Sequence, residues 1–256
     1  MNELQRVTDD FVEQSRHVSE HTDVFDLEPG HSSAEPRLRR LKVPHRQHPT
    51  YDRALRNDDV LAILSQLLGD GVRYQNTKLN LKSPEYGSPV EWHQDWAFYP
   101  HTNDDVLAVG VAIDDMMLEN GCLMVVPGSH RGPVLDHHQD GYFVGAVTPD
   151  GLAEKAVPIE LRAGDISTHH ARLLHGSAPN TSAHPRRFLL FEYSAADAWP
   201  LVGFTDLAEF DSRLLCGEPV LTPRMEPVPV RIPLPKHSRD GSIYEVQSTL
   251  ARSAFR

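Results

Sequence analysis

The sequence predicts a mainly β domain, a double-sheet jelly roll with helices flanking it on the N-terminal side. Around eight short strand-like stretches crowd into residues 71–195, and Gly or Pro clusters separate most of them. Helical spacing of apolar residues is clearest before residue 70. Twenty prolines in 256 residues favour many short elements over a few long ones. A single domain, 1–256, is expected to hold three regions: a helical flank and lid at 1–70, the jelly-roll core at 71–195, and a C-terminal extension at 196–256.

Within the flank, Leu4, Val7 and Phe11 recur at helical spacing, and Thr8 reads as the cap of a helix running to about Ser19. A second helix follows Asp58. Its Val60, Ile63, Leu64, Leu67 and Leu68 fall on one stripe, and Gly69 stands where a helix stops. Between the two lies a Pro- and His-rich segment. Its residues 37–46 carry Arg37, Arg39, Arg40, Lys42 and Arg46 and no acid, which suggests a lid that attracts an acidic substrate. The strands of the core are predicted at 72–82, 89–95, 106–113, 122–126, 142–147, 156–161, 165–170 and 187–194. The turns between them include 84–89, Asn120-Gly121, Pro127-Gly128, 149–151 and Gly164-Asp165. The alternating prolines of 227–235 remove backbone donors, so that run packs over the sheets rather than within one.

Composition narrows the function. No stretch approaches 18 consecutive apolar residues, so no membrane span is expected. The first twelve residues are mixed and acidic, unlike a secretory or transit signal, and a cytoplasmic setting follows. Two cysteines, Cys122 and Cys216, build neither a disulfide framework nor a Cys-based zinc site. A net charge of −11 and a pI near 5.7 argue against nucleic acid or anionic membrane as partner, leaving a small-molecule substrate and a monomer or homodimer. Fifteen histidines raise the expectation of metal chemistry.

Three His-x-Asp pairs occur, His21/Asp23, His93/Asp95 and His138/Asp140. Composition alone gives about one, so context has to choose. Only His93 and Asp95 end a strand-like stretch inside the sheet region. Side chains two apart on a strand share a face, which sets an imidazole beside a carboxylate. One more His from a late strand would complete two His and one carboxylate, the facial triad of non-heme Fe(II) oxygenases, with positions left open for co-substrate and O₂. His169, His170 and His175 are the candidates, and the adjacent His169 and His170 cannot both face inward. Eleven residues beyond His175, Arg186 opens the apolar run 188–191. A guanidinium at the head of a core strand suits a carboxylate. A diacid co-substrate fits, with a keto-acid end on the metal and the far carboxylate on Arg186 and the Ser177 hydroxyl. Trp92, Trp96, Phe98 and Tyr99 cluster beside the ligands as the expected walls of an apolar pocket.

Taken together, these motifs resemble the phytanoyl-CoA dioxygenase family of Fe(II)/2-oxoglutarate oxygenases. The resemblance covers roughly residues 50–195. It runs through Trp92-His93-Gln94-Asp95, Glu119-Asn120-Gly121-Cys122-Leu123, Pro127-Gly128-Ser129-His130-Arg131-Gly132, Gly164-Asp165, and His175-Gly176-Ser177 with Asn180 and Arg186. The tail, at 233–237 and 241–247, is similar to bacterial members. The resemblance implies a double-stranded β-helix (cupin-like) core, iron on His93, Asp95 and His175, and the distal carboxylate of 2-oxoglutarate on Arg186 and Ser177. It also implies co-substrate contact for Asn80 and, on the same strand, Gln75. His130 becomes a turn residue rather than a ligand. Some members carry a Trp about eighteen residues after the first ligand, where this chain has Val111, so the co-substrate wall is expected to differ.

The activity so implied couples oxidative decarboxylation of 2-oxoglutarate to hydroxylation of a small organic molecule. Asp95 favours oxygenation over halogenation, since halogenases of this class put a small residue there. Cyclisation, desaturation or epoxidation at the same centre, a non-catalytic cupin-like metal-binding module, and a zinc hydrolase are the alternatives. Arg186 separates the oxygenase from the last two, which have no use for a distal anion site.

Overall fold

The computed structural model describes residues 1–148, 151, 153–204, 206–231 and 242–255. The predicted turn at 149–151, the run at 227–235 and the tail motifs at 233–237 and 241–247 fall partly or wholly outside them.

Among the described residues two sheets face each other. The larger has strand order β1 (Phe25–Leu27), β2 (Leu38–Lys42), β3 (Val72–Lys82), β12 (Arg186–Ala195), β5 (Val106–Ala112) and β10 (Ile166–His170), with β13 (Leu214–Cys216) beside the start of β3. The smaller has the order β4 (Val90–His93), β11 (His175–Ser177), β6 (Leu123–Val125) and β9 (Val157–Ile159). A short hairpin joins β7 (His138–Gln139) to β8 (Tyr142–Phe143). Each recorded pairing is antiparallel. This is the jelly roll that the strand spacing predicts.

Strand β12 shows how the two faces are sorted. All ten of its residues are buried, yet they alternate in what they meet. Leu189, Phe191 and Tyr193 enter the main core with Leu79, Leu81 and Val109, under helices α1 (Asn2–Ser15), α3 (Pro49–Leu55) and α4 (Asp58–Leu68). Phe188 and Leu190 enter an inner cluster with Met116, Cys122 and Leu123 between the sheets. Arg186 takes the same parity as Phe188 and so starts on the inner face. Gly110 on β5 belongs to this packing, because a Cβ there would lie 2.0 Å from Phe188 Cζ.

Several predicted elements change. Helix α1 starts at Asn2, and Thr8 lies within it rather than at its cap. The Thr8 hydroxyl returns to Leu4 O (2.7 Å) and meets Tyr51 Oη (2.9 Å). Helix α4 is capped by Asn57, whose Oδ1 accepts from Val60 N at 3.1 Å. Its apolar stripe is wider than its buried face, since Leu64 is buried while Ile63 and Leu67 are exposed. The basic segment 37–46 is not a lid. It supplies strand β2 and the one-turn helix α2 (Pro44–Gln47), and β2 closes the larger sheet against β3. The predicted strand at 142–147 shortens to β8. Past β12, the chain adds α5 (Leu207–Ser212) and, on the far side of the undescribed 232–241, α6 (Ile243–Gln247). Gln247 fastens α6 to the smaller sheet: its Oε1 accepts from Glu91 N (2.9 Å) and its Nε2 donates to Gly145 O (2.8 Å).

Candidate metal centre and co-substrate pocket

The centre starts from a register. Strands β4 and β11 pair antiparallel with His175 opposite His93, and their imidazole centroids are 4.1 Å apart. After His93 the chain turns through a 3₁₀ segment, Asp95–Ala97, which brings the Asp95 carboxylate back to the same side. Asp95 Oδ1 lies 3.7 Å from His93 Nε2, and Oδ2 lies 3.8 Å from His175 Nε2. The three side chains are buried, and one ligand atom from each falls within 4.8 Å of the others.

The histidines are also oriented. His93 Nδ1 faces Glu91 O at 2.7 Å, and His175 Nδ1 faces Leu173 O at 2.8 Å. A carbonyl only accepts, so each Nδ1 carries the hydrogen and each Nε2 keeps its lone pair toward Asp95. Burial, with His93 beside it, pushes His175 well below the ordinary histidine range and keeps it a neutral donor. Burial alone would raise Asp95. Lys78 outweighs that and holds the carboxyl well below its ordinary value. Two neutral imidazoles and one carboxylate on one face suit an octahedral Fe(II) with open positions, so the residues present fit the ion.

From this centre a narrow cavity, with an enclosed volume of about 40 Å³, runs between the sheets to Arg186, lined along the way by Asn80, Leu123, Ser177 and Phe188. Arg186 is 3 % exposed. Its Nε donates to Gly121 O (3.1 Å) and its Nη2 to Ser177 Oγ (3.5 Å), and no carboxylate pairs with it among the described residues. Its neighbour Arg187, of opposite parity, pairs outward with Asp114 and Asp9. Asn80 Oδ1 accepts from Arg40 Nε at 3.0 Å, so Arg40 is the member of the basic segment that reaches the cavity.

Lys82 stands behind Arg186, 1 % exposed. Its Nζ donates to Ser177 Oγ (2.9 Å), Ser177 O (3.3 Å) and Ala178 O. Burial and the adjacent Arg186 push its ammonium well below the ordinary lysine range. Sequence reading passed over Lys82, although it shares the inward parity of Lys78 and Asn80 on β3. Among the described residues neither Arg186 nor Lys82 has an ion-pair partner, so this end of the cavity is suited to an anion.

Comparison with known proteins agrees with this geometry. The family model described as phytanoyl-CoA dioxygenase (PhyH) matches residues 1–188. The chain belongs to the phytanoyl-CoA dioxygenase family. It is therefore an Fe(II)/2-oxoglutarate-dependent oxygenase. Among its relatives is a probable alpha-ketoglutarate-dependent hypophosphite dioxygenase of Stutzerimonas stutzeri, 38 % identical over 93 % of this chain and 85 % of that one. The L-proline trans-4-hydroxylase of Streptomyces griseoviridis is 33 % identical over 58 % of this chain and 64 % of that one. AviO1 from Streptomyces viridochromogenes Tue57 shares the fold with a TM-score of 0.61, at 25 % identity, over 77 % of this chain and 85 % of that one. EctD from S. alaskensis, solved with bound Fe, superposes with a TM-score of 0.62 at 24 % identity over 75 % of this chain and 67 % of that one.

Within this family frame, some expected positions move. Gln75 sits at an irregularity in the β3–β12 register and donates to Ser194 Oγ at 2.7 Å, outside the cavity. Val111 faces the main core, and Phe188 lying over Gly110 supplies the aromatic wall. The expected aromatic pocket of Trp92, Trp96, Phe98 and Tyr99 does not line the triad cavity. Trp92 stacks on Phe255 at 5.5 Å, Trp96 lines a separate cavity with His137 and Arg231, and Phe98 meets the His93 ring edge-on at 5.9 Å. His169 faces inward and His170 faces Asp104, as adjacency requires, while His130 stacks near His170 away from the triad. His21 Nδ1 accepts from Leu27 N at 3.1 Å, and its ring lies close to Asp26 (3.0 Å) and Glu245 (3.3 Å). Among the described residues no helix is long and apolar enough to cross a membrane.

Proposed function

We propose that His93, Asp95 and His175 hold the ferrous ion and that Arg186 and Ser177 hold the distal carboxylate of 2-oxoglutarate, with Asn80 along its length. The reaction hydroxylates a small polar substrate. The observation that carries this reading is the pairing of a convergent His–Asp–His triad with a buried, acid-free Arg186 at the other end of one cavity.

Bound iron supplies the redox chemistry by which O₂ gives one oxygen atom to succinate, as 2-oxoglutarate loses CO₂, and the other to the substrate. The protein's own contribution is placement. The Glu91 and Leu173 carbonyls keep both imidazoles in the ligating tautomer. Lys82 donates to Ser177 Oγ, which leaves the Ser177 hydrogen free to donate to a carboxylate beside Arg186. Phe188, Leu123 and Val90 keep the passage between the two ends apolar.

Protein supplied with Fe(II), 2-oxoglutarate and O₂ is expected to release succinate. Asp95→Ala and His175→Ala abolish that release, and Arg186→Ala raises KM for 2-oxoglutarate by about tenfold or more. Succinate release surviving in Asp95→Ala overturns the ligand assignment. Unchanged affinity for 2-oxoglutarate in Arg186→Ala overturns the anion site, and would return weight to a hydrolytic or purely structural metal centre.

A further inference from the structure

Two polar side chains line the metal end of the cavity without a part in the chemistry above. His169, on β10, lines the cavity with a side chain 5 % exposed. Its Nε2 lies 3.6 Å from Asp95 Oδ2, and its ring centroid is 4.6 Å from that of His175. Neither of its ring nitrogens has a hydrogen-bond partner among the described residues. A buried imidazole left so costs free energy until something occupies the space it faces. Lys78, from β3, lines the same cavity and reaches Glu192 Oε1 at 2.7 Å, with two further ammonium hydrogens to offer.

Charge completes the argument. The cavity wall carries Arg40, Lys78 and Arg186 against Asp95, and Glu192 stands behind Lys78. Lys82 has Glu28 in electrostatic range. A ferrous ion and dianionic 2-oxoglutarate cancel one another, so the loaded cavity keeps one positive charge over. In a water-poor space an unmatched charge favours binding of its opposite. Space matters too. The enclosed cavity volume is about 40 Å³, so the space beside the triad favours a compact ligand.

We propose that the primary substrate is a compact monoanion, a small oxyanion bearing an oxidisable P–H or C–H bond, seated on the His169 N–H and the Lys78 ammonium at the metal end of the cavity. This deepens the oxygenase reading and rests on it. For phosphinate, one P–H bond breaks and a P–OH bond forms with one atom of O₂. The other atom goes to succinate, and the two-electron oxidations of 2-oxoglutarate and of the substrate together reduce one O₂.

The test is a calorimetric titration of sodium hypophosphite, sodium acetate and L-proline, in separate arms, into protein loaded anaerobically with Mn(II) and 2-oxoglutarate. Wild type is expected to bind hypophosphite or acetate and not the zwitterion. Whichever anion binds tighter identifies phosphinate or carboxylate as its source. His169→Leu is expected to weaken that binding at least tenfold, with 2-oxoglutarate and Mn(II) affinities within twofold of wild type. Because Lys78→Met alone strands Glu192, the Lys78→Gln/Glu192→Gln pair tests the second seat, with the same expected loss. The proposal is overturned if neither anion binds, if L-proline binds instead, or if His169→Leu shifts Mn(II) affinity and leaves the anion untouched. Failure of 2-oxoglutarate itself to bind wild type would strike the oxygenase reading beneath, a separate outcome.

Discussion

A buried ammonium surrounded by neutral oxygens is held at a cost, and Lys82 is such a group, donating to Ser177 and Ala178 behind Arg186. Its place is explained if a dianion arrives in front of it. Lys82→Met is expected to raise the Kd for 2-oxoglutarate by about tenfold, the worth of one charge-assisted hydrogen bond. The Kd for 2-oxobutyrate, which lacks the distal carboxylate, should barely move; equal losses for both would mean that Lys82 only braces the fold. Gly110 carries a different constraint, steric rather than electrostatic. A methyl there would meet the Phe188 ring, so Gly110→Ala is expected to cost about 1–3 kcal/mol in urea unfolding. A smaller loss in Phe188→Leu/Gly110→Ala would show that the clash is the cause.

At the scale of elements, the N-terminal edge departs furthest from the sequence reading. Strand β1 has three residues and β2 is half basic, so neither shows the apolar alternation that marks a strand. What stabilises them is tertiary: Asp26, fully buried, pairs with Arg39 at 2.9 Å across the β1–β2 ladder. Burial would raise Asp26, but Arg39 and Arg40 and the Ser242 hydroxyl outweigh it and lower its pKa. A lowered carboxyl pKa stabilises the fold above the ordinary carboxylate value and loses that effect as pH falls through the folded one. Asp26→Asn is therefore expected to cost about 3 kcal/mol at pH 7. The gap from wild type should begin to narrow only as pH falls below about 4; a gap that stays constant on further acidification would assign the effect to packing. By contrast β3, β5 and β12 matched their predicted bounds within a residue or so, because each is a long, largely buried run in the interior of the larger sheet.

For the molecule as a whole, the histidines that do not face the metal set the response to acid. His101 and His137 are 1 % exposed, and burial pushes each down to about 4. The unfolded chain takes up these protons near pH 6.5 while the fold excludes them until about 4. Stability is therefore full above that window and falls through it, by roughly 1.4 kcal/mol per pH unit for each group. Melting temperature is expected to drop steadily between pH 7 and pH 5, and His101→Phe to show a shallower slope; an identical slope would exclude His101 as a contributor.

Sequence alone determined the class of chemistry and the strands that carry it. His93 and Asp95 two apart at a strand end, His175 before a turn, and Arg186 eleven residues on are local facts, and period-two alternation turns them into faces. Which of His169, His170 and His175 meets Asp95, that Gln75 leaves the cavity at an irregular register, that Lys82 stands behind Arg186, and that Phe188 fills the wall where Val111 turns away were decided only by tertiary structure. The reason is physical: each of these depends on cross-strand register and on inter-sheet packing between residues up to about a hundred positions apart, and no local propensity carries that information.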